Sequence, residues 1–249
     1  MGARPAAWQA RRVPTDADLL SALRAWKPAR PEQRLLRDDT VAFVEAAGGA
    51  STDRAHAPEH VTASCFVVTP DLSRVLLCHH RKGGSWMQLG GHVEPGDASV
   101  AAAALREARE EGGIDELVPW SVTGDGTATV VDVDRHALSG AFGRCRVHRD
   151  VGHVAFAAAD AVPLTSDESD DVRWFGVDAL PQEAPPGFAA RLAGALAEVR
   201  RVLDGRQPGA GGAGPWAEAD RARNEDEPPR SDSGERVDRH GSTSGDGGI

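Results

Sequence analysis

Glu107, Glu110 and Glu111 stand at i, i+3 and i+4 in the run Arg106-Glu107-Ala108-Arg109-Glu110-Glu111. On a helix this spacing puts three carboxylates on one face. They repel one another and gain little unless a cation sits among them. Hard divalent ions such as Mg2+ or Mn2+ prefer oxygen ligands of this kind. An isolated glutamate-rich helix is most often just a solvated face, with Arg106 and Arg109 pairing to neighbouring acids. The segment in front shifts that balance. Gly90-Gly91-His92-Val93-Glu94-Pro95-Gly96-Asp97 reads as a glycine-rich loop at the helix entry, where backbone can approach a ligand closely.

The elements that must position these groups follow from periodicity. Residues 101–111 are dense in strong helix formers. Residues 61–69 and 74–80 are β-branched and aliphatic runs joined by Pro70-Asp71-Leu72-Ser73, a hairpin signature. Further strands are expected at 128–136, 151–158 and 172–175. Phe188, Leu192, Leu196, Val199 and Leu203 mark a closing helix, with Gly205 in its C-cap region. Near the start, Thr15-Asp16-Ala17-Asp18 resembles a capping box and precedes Leu19, Leu20, Leu23 and Trp26 at helical spacing. A second helix runs from Pro31 and stops at Gly48-Gly49. The expected organisation is an N-terminal helical extension (1–59), one α/β domain (60–204) and a tail (205–249). The tail, rich in Gly, Asp, Glu, Arg and Ser, cannot bury enough apolar surface to offset the entropy of ordering, and is expected to be disordered.

The 249 residues carry a formal charge of -10, which argues against nucleic acid as a partner. No apolar run approaches the ~20 residues of a membrane helix, and residues 1–14 have arginines but no apolar h-region, so a secretory signal is not expected. Cys65, Cys78 and Cys145 are odd in number and far apart, so they read as reduced core residues of a cytoplasmic protein.

Loop and helix together resemble the Nudix box, the signature of the Nudix hydrolases. Gly91 supplies its first glycine; Arg106-Glu107 and Glu110-Glu111-Gly112-Gly113-Ile114 supply its end. Three departures stand out. Asp97 replaces the usual Glu, eight residues rather than seven separate it from Arg106, and Ala108 is smaller than the usual aliphatic residue. The helix carboxylates keep their mutual spacing; the role of Asp97 is what the departures put in question. The resemblance extends from the strand at His60 to Val172-Arg173-Trp174-Phe175.

The resemblance implies an α/β fold, the Nudix-type α/β/α sandwich with a mixed sheet. It also implies hydrolysis of a nucleoside diphosphate linked to another moiety, a small nucleotide-type substrate. Mg2+ or Mn2+ would be held by Glu107, Glu110 and Glu111. The base would be Glu111 or Glu168, the latter in an acidic stretch before the Trp174 strand, and Arg106 would orient a box carboxylate. Gly91, Arg81 and Trp86 are the substrate-binding candidates, Arg81 for phosphate charge and Trp86 for stacking; Trp86 could equally pack under the loop. Asp132, Asp134 and His136 alternate along one strand, and His148, Asp150 and His153 lie on the next. A second metal could sit there, but exposed polar strand faces are commoner and are expected. The rival reading is a catalytically inactive Nudix-fold nucleotide-binding or regulatory module, against which the intact carboxylate set argues. A Nudix-fold isomerase would want a cysteine near the start of the box, where none stands. The chain has no tyrosine, so the tyrosine that marks diadenosine polyphosphate hydrolases is missing.

Overall fold

The computed structural model describes residues 16–55, 58–81, 83–138, 144–165 and 169–205. Their elements run α1 (Asp16–Ala25), α2 (Pro31–Ala47), β1 (Glu59–Val68), β2 (Arg74–His80), β3 (Ser85–Met87), β4 (Leu89–His92) and α3 (Val100–Gly112). There follow β5 (Val118–Pro119), β6 (Asp132–Ala137), β7 (Val147–Phe156), β8 (Ser169–Gly176) and α4 (Phe188–Gly205). The expected tail meets the described residues only at the end of α4; the rest of it, and residues 1–15, lie outside them.

β1 is the apolar hub of the sheet. It pairs in parallel with β7 over its full length, from Glu59↔Val147 to Val68↔Phe156. On its other side it changes partner. Thr62 to Cys65 pair antiparallel with β4, and Val67 and Val68 pair antiparallel with β2. β2 continues to β3 and β8, and β7 carries β5 and β6. The sheet is therefore mixed.

Alternation along β1 sends side chains to both layers. Val61, Ala63, Cys65 and Val67 join one buried cluster with Ala103, Ala104 and Ala108 of α3 and with Leu19, Leu23 and Val44 of α1 and α2. Phe66, on the opposite face, meets Phe188 of α4 with ring centroids 6.1 Å apart. Each such large apolar side chain contributes roughly 1.5–3 kcal/mol when buried. Helices on both faces make this the expected α/β/α sandwich. The N-terminal helices share its core. Gln33 of α2 also acts as a surrogate strand neighbour, accepting the Val133 N–H at 2.8 Å and donating to the Val133 carbonyl at 3.1 Å.

Several details differ from the sequence expectation. The glycine stretch before α3 is partly strand, because β4 finds its partner in β1. The strand expected from residue 128 starts only at Asp132, and the one expected from 151 starts at Val147. β5 was not foreseen. Cys65 and Cys78 are core residues, but Cys145 is only half-buried and stands outside the apolar cluster. Among the described residues, no helix is long and apolar enough to cross a membrane.

Candidate active site

Local signals set the ends of α3 and so the aim of its carboxylates. Ser99 caps the first turn, its Oγ accepting the Ala102 N–H at 3.0 Å. Gly113 ends the helix in the left-handed region at φ 62°, donating its N–H to the Arg109 carbonyl at 2.8 Å. Between these caps Glu107, Glu110 and Glu111 fall on one side, at very different depths. Glu111 is 4% exposed, and its Oε2 accepts the Gly90 N–H at 2.8 Å. The Glu107 side chain is 13% exposed and that of Glu110 is 59% exposed. Cys78 Sγ lies 3.9 Å from Glu111 Oε2; burial, helped by that nearby acid, pushes its thiol well above the usual range.

Gly91 sits where no side chain fits. A Cβ there would lie 2.6 Å from the carboxylate carbon of Glu107. The first glycine of the box thus leaves room for the first glutamate. Gly90 is constrained differently: its Cβ would meet the Ala63 carbonyl oxygen at 2.6 Å, so β4 can lie against β1 only without a side chain.

Arg106 gathers the cluster. Its Nε and Nη2 donate to the two oxygens of Asp97 at 2.9 and 3.0 Å. Nη1 donates to Glu107 at 3.0 Å and to Glu110 at 2.8 Å, and Nη2 also reaches the His92 carbonyl at 3.0 Å. This carboxylate-rich setting, led by Asp97, raises the guanidinium pKa above its already high value. Asp97 itself is buried and also accepts the Glu94 N–H at 2.8 Å. Both its oxygens are therefore used in bracing Arg106 and the loop. Arg106 thus holds three carboxylates, Asp97, Glu107 and Glu110, while Glu111 is held by the Gly90 N–H.

The cluster borders a cavity of about 420 Å³. Gly90, Gly91, Arg106 and all three helix glutamates line it, with Thr62, Ser64, Gln88, His92, His136, His148 and Asp150 among the facing residues. The fold thus brings together Gly91, Arg106, Glu107, Glu110 and Glu111. It does not bring Arg81 or Trp86 to this wall. Arg81 donates to Asp170 at 2.9 Å. Trp86 packs edge-on against Phe175 at 4.8 Å and His79 at 5.3 Å, with the Arg173 guanidinium 5.7 Å from its ring. Glu168 lies outside the described residues.

The polar strand residues expected to be exposed divide: Asp134, His136 and His148 are half-buried and the other three are buried. His153, in register with Cys65, is buried on the α3 side of β7, whereas Asp132 and Asp150, at most 4% exposed, are covered by α4. Its Arg191 donates to Asp132 at 2.7 Å, Asp134 at 3.2 Å and Asp150 at 3.1 Å. Asp150 also receives Ser64 Oγ at 2.7 Å and Gln88 Nε2 at 3.0 Å. This network fixes one cavity wall, with the Arg191 guanidinium set among its three aspartates. Ser64, Gln88 and Arg191 were not singled out from sequence; their only signal is spatial.

A family model of the NUDIX domain matches residues 58–198. Among solved structures, the chain is similar to the MutT Nudix hydrolase from Burkholderia pseudomallei, at 25% identity over 54% of this chain and 96% of that chain, TM-score 0.39. It is similar to the E. coli dihydroneopterin triphosphate pyrophosphohydrolase at 19% identity over 57% and 95%, TM-score 0.43. It also resembles the Nudix domain of Shewanella oneidensis NrtR complexed with ADP-ribose, at 16% identity over 62% and 97%, TM-score 0.44. No curated protein gives a significant match.

Proposed function

The chain belongs to the Nudix family, and from that premise we propose that it is a metal-dependent hydrolase cleaving the diphosphate linkage of a nucleoside diphosphate joined to another moiety. The observation that carries this reading is the carboxylate face of α3 bordering the cavity, with Gly91 leaving room for Glu107. The donor set fits Mg2+ or Mn2+: Glu107, Glu110 and Glu111 offer carboxylate oxygen alone. When bound by these residues, the cation supplies neutralisation of charge developing on the phosphate oxygens.

The chain's own residues do the rest. Arg106 is a positioning residue: braced by Asp97, it holds Glu107 and Glu110 in fixed relation from one planar group. Glu111, fixed by the Gly90 N–H, is one base that can take a proton from the attacking water at a carboxylate oxygen. Glu168 is the other candidate. Gly91 offers backbone that a phosphate can approach closely. The sequence ground for a cytoplasmic enzyme, three cysteines odd in number and far apart, belongs to the same proposal.

The test is a panel of nucleoside diphosphate derivatives and modified nucleoside triphosphates, assayed with Mg2+, with Mn2+ and with EDTA. The expected result is metal-dependent release of nucleotide or phosphate from at least one member. Binding of panel members without turnover of any would overturn the reading in favour of a nucleotide-binding or regulatory module.

A further inference from the structure

Strand register brings three histidines to one place beside the carboxylate site. His60 and His148 are direct partners in the parallel β1–β7 pair. His92, at the end of β4, is opposite Thr62 on β1. Thr62 is two residues from His60, so all three imidazoles share one face of the sheet. Ring centroids are 5.1 Å apart for His60 and His92, 4.9 Å for His60 and His148, and 5.3 Å for His92 and His148. Cys145, two residues before β7, closes the group, with Sγ 3.9 Å from His92 Nε2. One donor atom from each of the four residues lies within 4.8 Å of all the others. Nε2 of His148 is buried and, among the described residues, has no hydrogen-bond partner. A buried nitrogen left so costs about 1–3 kcal/mol unless a ligand satisfies it.

We propose that His60, His92, His148 and Cys145 form a second metal site, for a divalent transition ion of the zinc class in tetrahedral coordination by three nitrogens and one sulfur. Its donors differ in kind from those on α3. Imidazole and thiolate select borderline or soft ions, whereas the all-carboxylate set selects hard ones, so the two sites do not compete for the same metal. Metal–nitrogen and metal–sulfur bonds of about 2.0 and 2.3 Å place tetrahedral donors roughly 3.3–3.5 Å apart, so binding draws the donor atoms together by up to about 1.5 Å. The Cys145 thiol loses its proton to solvent on binding, and the imidazoles bind as neutral groups. With four protein ligands the site is closed, and its role is to clamp β1, β4 and the start of β7. That clamp reaches the carboxylates, because the His92 carbonyl receives Arg106. The proposal is independent of the hydrolase reading, since none of its ligands comes from α3.

The experiment is a Co2+ titration of the metal-stripped full chain. One equivalent should produce the intense visible bands of tetrahedral cobalt and a near-ultraviolet thiolate-to-cobalt band. Zn2+ should abolish both, and excess Mg2+ should not. In Cys145→Ser the near-ultraviolet band should vanish; in His148→Asn the tetrahedral bands should be lost. Glu111→Gln should leave the spectrum unchanged. Failure of the wild-type chain to give tetrahedral bands would overturn the proposal. So would an unaltered thiolate band in Cys145→Ser, or loss of the spectrum in Glu111→Gln.

Discussion

Replacing Gly91 with alanine should disable the site and spare the fold, whereas the same change at Gly90 should do the reverse. Neither glycine is among those with positive φ, so alanine is acceptable to the backbone at both. Only the surroundings differ. At Gly91 the new Cβ would stand 2.6 Å from the Glu107 carboxylate carbon and from one of its oxygens, where ordinary contact begins at 3.4 Å. The carboxylate is the end of a flexible side chain, so it yields, retreating by roughly 1 Å. A displacement of that size at a reacting centre costs on the order of 100-fold in rate. Stability should change by less than about 1 kcal/mol. At Gly90 the Cβ would meet the Ala63 carbonyl oxygen at 2.6 Å and Ser64 Cα at 2.7 Å. That is backbone of the central strand, which cannot yield alone. The overpacking should cost about 1–3 kcal/mol, read as a fall in Tm of several degrees. Thermal melts and Mn2+-binding calorimetry on both variants, followed by turnover on whichever substrate the panel identifies, separate the two effects. Wild-type Mn2+ affinity and kinetics in Gly91→Ala would refute the reasoning, as would a large loss of stability there with none in Gly90→Ala.

Arg106→Lys keeps the charge but replaces a planar fork with a point donor that cannot hold Asp97, Glu107 and Glu110 at once. Stability should drop by about 1–3 kcal/mol, and kcat should fall with it; denaturant melts and kinetics check both, and unaltered values would remove Arg106 from its positioning role. Burial pulls the His153 pKa down from 6.5 to about 4. Below pH 6.5 the unfolded chain therefore takes up a proton that the folded chain refuses. This contribution to stability is complete above that pH and declines by up to about 1.4 kcal/mol per pH unit towards pH 4. Denaturant melts across this range should show a shallower slope in His153→Gln, and an identical slope would contradict the assignment. Glu168→Gln should separate the two bases: a large loss of turnover with Mn2+ affinity intact assigns the role to Glu168, and near-normal turnover assigns it to Glu111.

The parts of the site legible in the sequence are those that depend on local geometry. Glu107, Glu110 and Glu111 share a face because a helix has 3.6 residues per turn, whatever surrounds it. Gly91 stood out by type and spacing, although the reason for it, the Glu107 carboxylate against its Cα, needed coordinates. Ala108 departs from the box pattern but is fully buried in the core where α3 packs on the sheet. What was not legible is non-local. Gly90 reads as loop until β1 is known to lie beside it. Asp132 and Asp150 alternate like a solvated strand face; nothing nearby in sequence announces that Arg191 of a distant helix will cover them. His60, His92 and His148 belong to three strands and meet only through register. Trp86 has the type of a stacking residue, but β8 supplies Phe175 as its neighbour before any ligand could.

The most direct test of the carboxylate site compares metal-dependent turnover of the wild-type chain with that of Glu110→Gln and Glu111→Gln, using the best substrate from the panel. Each change keeps size and helix propensity and removes the negative charge a cation needs. The Gly90 N–H still has an oxygen to meet at position 111. Turnover should fall by orders of magnitude in both variants, with thermal stability within about 0.5–1 kcal/mol of wild type. Wild-type kinetics in both would contradict the account.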